Sequence, residues 1–257
     1  MDAPADDAIA VTTRSLEDAN TTVREVRLSR PEKHNALSLG TLAALADLFG
    51  SVGTGDGSAV VVAAAGEDFS LGADVADLDP AALSDPGVAA DRVQDLVASL
   101  RACPLPVVAR VQGRAYGAGF LLCLGVDLVV AAENATFAVP EADIGIPVAG
   151  FATTLLPQLV GERRAREWLF TGRSVGAEAA ARAGFVTETA PPADLDATLD
   201  RLLGSLAGSS TDAVAALKGQ LAPVATPTDE TVRATERAAM QAAYEEGDVT
   251  ERLQDLL

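Results

Sequence analysis

Between Ser58 and Ala65 the chain reads SAVVVAAA, a strand-length stretch with almost no polar interruption. Successive strand side chains point to opposite faces, so unbroken apolarity calls for cover on both sides. That is the signature of a strand inside a largely parallel sheet flanked by helices. Pro106–Val111 and Asp127–Ala132 repeat the signal. The chain is therefore expected to fold as α/β, and its 257 residues suffice for one substantial core.

The rest of the pattern agrees. Ile9–Thr13 and Val23–Leu28 read as strands around a polar turn containing Asn20, after a frayed tail at residues 1–8. Ser38 is placed to cap a helix whose stripe includes Leu42, Leu45 and Leu48. Gly50 to Gly57 is a glycine-rich turn, and Gly66 to Asp85 a long loop of the kind that often carries function. Helices are expected over Val88–Arg101, Phe120–Gly125, 150–160, 161–170 and 176–183, with a strand at 184–188. After Pro191-Pro192 only helical patterns remain, broken at Gly208–Ser210, Pro223–Pro227 and Gly247. This divides the chain into an α/β core, residues 1–192, and a helical appendage, residues 193–257.

Composition narrows the chemistry. The formal net charge is −18, so nucleic acid and anionic membrane surfaces are poor partners. The longest apolar run, Phe120 to Ala132, contains Asp127 and falls short of the ~20 residues that span a bilayer. MDAPADDAIAV has no basic region followed by an apolar one, and the protein is expected to be cytoplasmic. Lys33 and Lys218 are the only lysines, which fits either a GC-rich genome or adaptation to high salt. Cys103 and Cys123 read as reduced core thiols. With one histidine, His34, a typical zinc site and a histidine relay are both disfavoured, leaving acid–base work mainly to carboxylates.

Two loops follow buried strands and lead towards helices: Glu67 to Asp74 (EDFSLGAD) and Gly113 to Gly119 (GRAYGAG). Glycines let another group approach the backbone, and N–H groups at a helix start lack internal acceptors. One such N–H from each loop would make an oxyanion hole, although glycine clusters taken alone fit simple strand-to-helix packing better.

The order and spacing of the whole set say more. Arg30-Pro-x-x-x-Asn35-Ala-Leu-Ser38 precedes Phe69-Ser-x-Gly72-Ala-Asp74, then Pro106 to Gly119, then Phe137-Ala-Val-Pro140-Glu141-x-x-Ile144-Gly145. Leu159-Val-Gly161, Leu169-Phe-Thr171-Gly172 and Ala177-Glu178-Ala-Ala follow. Over roughly residues 30–186 the chain resembles the crotonase (enoyl-CoA hydratase/isomerase) superfamily; beyond 193 the likeness is faint.

The resemblance implies a crotonase-like spiral of ββα turns with a helical C-terminal appendage that assists assembly into a homotrimer or dimer of trimers. It implies an acyl-CoA thioester as substrate, with CoA entering as part of it and no metal or other cofactor. The implied oxyanion donors are the backbone N–H groups of Leu71 and Ala118. The implied substrate-binding positions are Lys33, Ala36, Gly72, Ala73, Asp74, Gly117 and Leu121.

Hydratases of the family use two glutamates. One matches Glu141; the other position is Leu121, which cannot hold water or a proton. A lone glutamate resembles the Δ3,Δ2-enoyl-CoA isomerases, in which one carboxylate removes a proton from C2 and returns it at C4. An apolar wall including Leu121 would raise that carboxylate's pKa. Three readings follow: an isomerase using Glu141, a hydratase or other lyase with a substitute second group, or a non-catalytic acyl-CoA binder. Glu141 as a mere capping residue beside Pro140 is the plain alternative.

The family's glycine-rich run after the glutamate is replaced by Val148-Ala-Gly-Phe-Ala-Thr153, where Phe151 adds bulk expected to reshape the pocket. The chain's end lacks the family's usual Lys-Arg pair. Arg30 and Lys33 are candidates for CoA phosphate or plain solvated charges. His34 is expected to be a loop residue, Asp74 a brace, Asp127 a turn cap or arginine partner, Asp143 a candidate second acid and Trp168 packing.

Overall fold

The computed structural model describes residues 8–16, 21–79, 85–225, 230–246 and 249–254. The tail at 1–7, the turn around Asn20 and Gly247 lie outside the described residues.

In chain order the strands are β1 (Ile9–Leu16), β2 (Thr21–Leu28), β3 (Ala59–Ala64), β4 (Val107–Val111), β5 (Arg114–Tyr116), β6 (Leu128–Ala132), β7 (Thr136–Ala138), β8 (Val175–Gly176) and β9 (Glu188–Ala190). The helices are α1 (Leu39–Gly50), α2 (Gly87–Ala102), α3 (Ala118–Gly125), α4 (Ala152–Val160), α5 (Glu162–Thr171) and α6 (Ala177–Ala183). Four more follow: α7 (Leu195–Ala207), α8 (Thr211–Ala225), α9 (Glu230–Glu246) and α10 (Val249–Gln254).

The main sheet runs β1-β2-β3-β4-β6-β9, antiparallel only between β1 and β2. All six residues of β3 are buried, as its unbroken apolarity requires. A second sheet, β5-β7-β8, stands beside the first, and Ser70 bridges to Ala115 at its margin. Two turns of the spiral are each a main-sheet strand, a short second-sheet strand and a helix: β4, β5, α3, then β6, β7, α4. This is the crotonase-like α/β fold.

Ser38 caps α1 by accepting the Thr41 N–H at 3.0 Å, and Leu42, Leu45 and Leu48 are buried beneath it. Every residue of α3 is buried, so this helix is the hub of the spiral. Behind it Phe120 stacks on Phe185 at 4.5 Å, with Trp168 edge-on at 6.1 Å to Phe185, so Trp168 does pack. Cys103 and Cys123 are buried free thiols, and burial raises both pKa values.

Several expectations need correcting. The strand expected at 184–188 is β9, Glu188–Ala190; Phe185 and Val186 instead fold back onto Ala180 after α6. β5, β7 and β8 were not anticipated, being two or three residues long. Pro223 lies within the last turn of α8 rather than breaking it, and the expected break continues into 226–229, outside the described residues. Asp127 caps β4 by accepting the Val107 N–H at 2.7 Å and pairs with Lys218 at 2.6 Å, while Arg101 adds the expected arginine through its charge. The Lys218 ammonium donates to Leu100 O and Leu105 O, fastening α8 to the core.

Candidate active site

Three segments converge at Gly117. Gly117 adopts φ 51° and ψ −124°, a conformation open to glycine, as it turns from β5 into α3. A side chain there would meet Glu141 Oε1 at 3.3 Å and Gly72 Cα at 3.5 Å. The first loop, the start of α3 and the Pro140–Ile144 3-10 turn therefore abut around one point.

Beside that point lies an apolar cavity of about 320 Å³. Its wall includes Leu71, Gly72, Ala73, Gly117, Ala118, Leu121 and Glu141, seven of the ten site positions read from the sequence. Lys33, Ala36 and Asp74 are not in that wall. Lys33 is exposed on a 3-10 turn, and the Ala36 carbonyl accepts from Arg30 Nη1 at 3.3 Å. Asp74 takes Arg30 at 3.2 Å and Lys33 at 3.9 Å and caps the Ala76 N–H, so it braces the loop as expected.

Glu141 is partly covered as a residue, but its Oε2 is buried and has no hydrogen-bond partner. Burial pushes its pKa up to about 7, opposed only by its own backbone N–H. Across the cavity Leu121 is 2% exposed and supplies only hydrocarbon. The result is a carboxyl poised near neutrality in an apolar wall, suited to accepting and returning a proton.

The donors differ. Ala118 opens α3, where the first N–H groups have no acceptor within the helix. The Leu71 N–H already donates to His34 O at 3.1 Å, so it can meet a thioester oxygen only by sharing or releasing that bond.

Sequence reading missed the network that holds these loops. Asp68 accepts from Arg114 Nε at 2.8 Å, Arg114 Nη2 at 2.7 Å and the Arg114 backbone N–H at 3.1 Å, and bonds His34 Nδ1 at 2.8 Å. Its partners, above all Arg114, hold its pKa down at about 2 despite burial. Asn35 donates to Ala65 O and Asp68 O, and Ser70 Oγ donates to Asn35 O. Loops 30–38, 66–74 and 113–119 are thereby one unit. An acid beside buried Phe69 was the available signal.

Phe151 is also corrected. It takes a left-handed φ of 60° and is buried under Arg233, whose guanidinium sits 5.3 Å from the ring centroid. It does not line the cavity; Ala149 does. Asp143 does line it, as does Asp77, whose Oδ2 accepts the Leu39 N–H at 2.8 Å.

A ββα spiral with glycine loops and a glutamate whose buried oxygen faces no partner beside an apolar pocket defines a crotonase-type protein. Residues 18–256 match the profile of the family described as Enoyl-CoA hydratase/isomerase, and the chain belongs to that family of acyl-CoA enzymes. A Rhodobacter capsulatus protein described as "Probable enoyl-CoA hydratase" is 33% identical over 193 residues, 75% of each chain. Carnitinyl-CoA dehydratase of Escherichia coli K12 is 41% identical over 113 residues, 44% of this chain and 43% of that one. The crystal structure of an enoyl-CoA hydratase from Mycobacterium avium subsp. paratuberculosis K-10 superposes with a TM-score of 0.85 at 27% identity, covering 98% of this chain and 99% of that one.

Among the described residues, no helix is long and apolar enough to cross a membrane, and no three His, Cys, Asp or Glu side chains cluster as a metal site.

Proposed function

We propose that this protein isomerises Δ3-enoyl-CoA thioesters to Δ2-enoyl-CoA with Glu141 as the single base. Glu141 takes a proton from C2, the electron pair moves into a dienolate, and the same carboxyl delivers the proton to C4 as the double bond settles between C2 and C3. The Ala118 N–H, with that of Leu71, stabilises the thioester oxygen as it gains charge; losing one such donor typically costs ~3 kcal/mol. The observation that carries this reading is the unpartnered Oε2 of Glu141 in a wall where Leu121 offers no second acid.

The same reading makes residues 193–257 an assembly region of a cytoplasmic homotrimer or dimer of trimers. Leu217 and Leu221, one turn apart on α8 and 57% and 66% exposed, support an interface there. No cofactor beyond the CoA of the substrate is invoked.

Asp143 in the cavity wall favours a second reading, hydration with a substitute acid. Turnover of trans-3-enoyl-CoA and trans-2-enoyl-CoA by the purified protein separates them. Double-bond migration without hydration, rising with pH through about 7 as Glu141 deprotonates, is the expected result. Hydration of the trans-2 substrate supports the second reading, and turnover of neither refutes both.

A further inference from the structure

The hydrophobic interior is not one body. A large cluster fills the spiral, and a smaller one joins α9 and α10 to α2 and to the turns at Val75–Leu78 and Pro140–Ile144. The cavity is the seam between them. Leu42, Val93 and Leu121 on its wall belong to the large cluster; Leu78, Ile146 and Met240 belong to the small one.

Met240 comes from a helix that carries none of the reacting groups, and it is 4% exposed. Its helix is held firmly. Arg233 pairs with Asp95 at 2.9 Å, and Arg237 pairs with both Asp85 and Asp91. Gln94 Nε2 donates to Glu236 at 2.8 Å, and Tyr244 Oη to Leu78 O at 2.9 Å. Met240 is therefore part of a fixed wall.

Apart from Glu141, the charged side chains lining the cavity among the described residues are Asp77, engaged at the start of α1, and exposed Asp143. That lining holds no cationic side chain, so a carboxylate along the chain would find no counter-charge there.

We infer that the acyl group is an unsubstituted aliphatic chain lying in the seam between the two clusters, and that Met240 ends its track and sets its length. This rests on the acyl-CoA reading above and adds the substrate class to it.

The test is equilibrium binding of saturated acyl-CoAs, acetyl to palmitoyl, which needs no turnover. Affinity should rise about fourfold per added methylene until the wall is met, then stop. Met240→Ala should move that break longer by about two or three carbons, the length of side chain removed. Ala89→Leu, which fills the same cavity from α2, should move it shorter and covers the case in which Met240→Ala loosens α9. A break unmoved by either folded variant, or a rise continuing to palmitoyl-CoA, overturns the inference while leaving the acyl-CoA reading intact. So does an ω-carboxyl or ω-hydroxyl chain that binds as tightly as its parent. Failure of every acyl-CoA to bind overturns the acyl-CoA reading itself, and this inference with it.

Discussion

Glu141 lines the pocket and Asp68 anchors the loops beside it, and the surroundings of these two carboxylates pull them in opposite directions. Asp68 is 6% exposed, yet three N–H donations from Arg114 and a bond to His34 hold it ionised, with a pKa near 2. Glu141 has a buried oxygen with no partner, and its pKa rises to about 7. Burial alone thus says little about a carboxylate's role; the supply of donors decides. The saturated group fixes the loops, and the unsaturated one is left free to exchange a proton.

Substitutions can break or sharpen this contrast. The largest effect is expected from Glu141→Gln, which should lower turnover by roughly a thousandfold while leaving acyl-CoA binding nearly unchanged. The same variant should be more stable than the parent at pH 8, by up to ~3 kcal/mol in urea unfolding. Because the folded pKa is raised from 4.5 to about 7, the protonated carboxyl favours the folded state. That contribution is whole below pH 4.5 and lost as pH rises through about 7, so the variant's advantage should vanish in acid. A variant no more stable at pH 8 would mean that Glu141 is better solvated than its geometry implies.

Asp68→Asn should cost about 2 kcal/mol at neutral pH and roughly tenfold in turnover, since three loops lose their common anchor. The sign reverses here. A pKa lowered from 3.8 to about 2 means stability present above pH 3.8 and lost as pH falls through about 2. Parent and variant should therefore converge in strong acid. The smallest effect is expected at Glu236, an intermediate case. It is buried and accepts from Gln94 and the Phe151 N–H, yet its Oε1 is unpartnered and burial raises its pKa. Glu236→Gln should change neutral-pH stability by less than about 0.5 kcal/mol in the same assay.

What could be read in advance divides along similar lines. β3, the Ser38 cap and the glycine at position 117 declare themselves locally, through unbroken apolarity, a side-chain acceptor at a helix start and a backbone shape few residues tolerate. Glu141 and Leu121 were singled out by the family resemblance, and the fold brings both to one cavity. β5, β7 and β8 are too short for any periodicity to show. The Asp68–Arg114 pair joins residues 46 apart, so neither side chain announces the other. Phe151 was misread because bulk in a motif says nothing of direction; its left-handed backbone turns the ring away from the cavity. Met240 sits in no motif, and only the docking of α9 against α2 brings it to the pocket.

The seam between the two hydrophobic clusters also sets a timetable. Glu141, the last of the reacting groups to be made, leaves the ribosome roughly a hundred residues before Met240, which at about 5–20 residues per second is on the order of ten seconds. During that interval the nascent chain carries its reacting groups beside an open apolar trench. The helices that cover it, α9 and α10, are made later, so a message truncated before α9 would yield a product with greasy surface exposed and a strong tendency to aggregate.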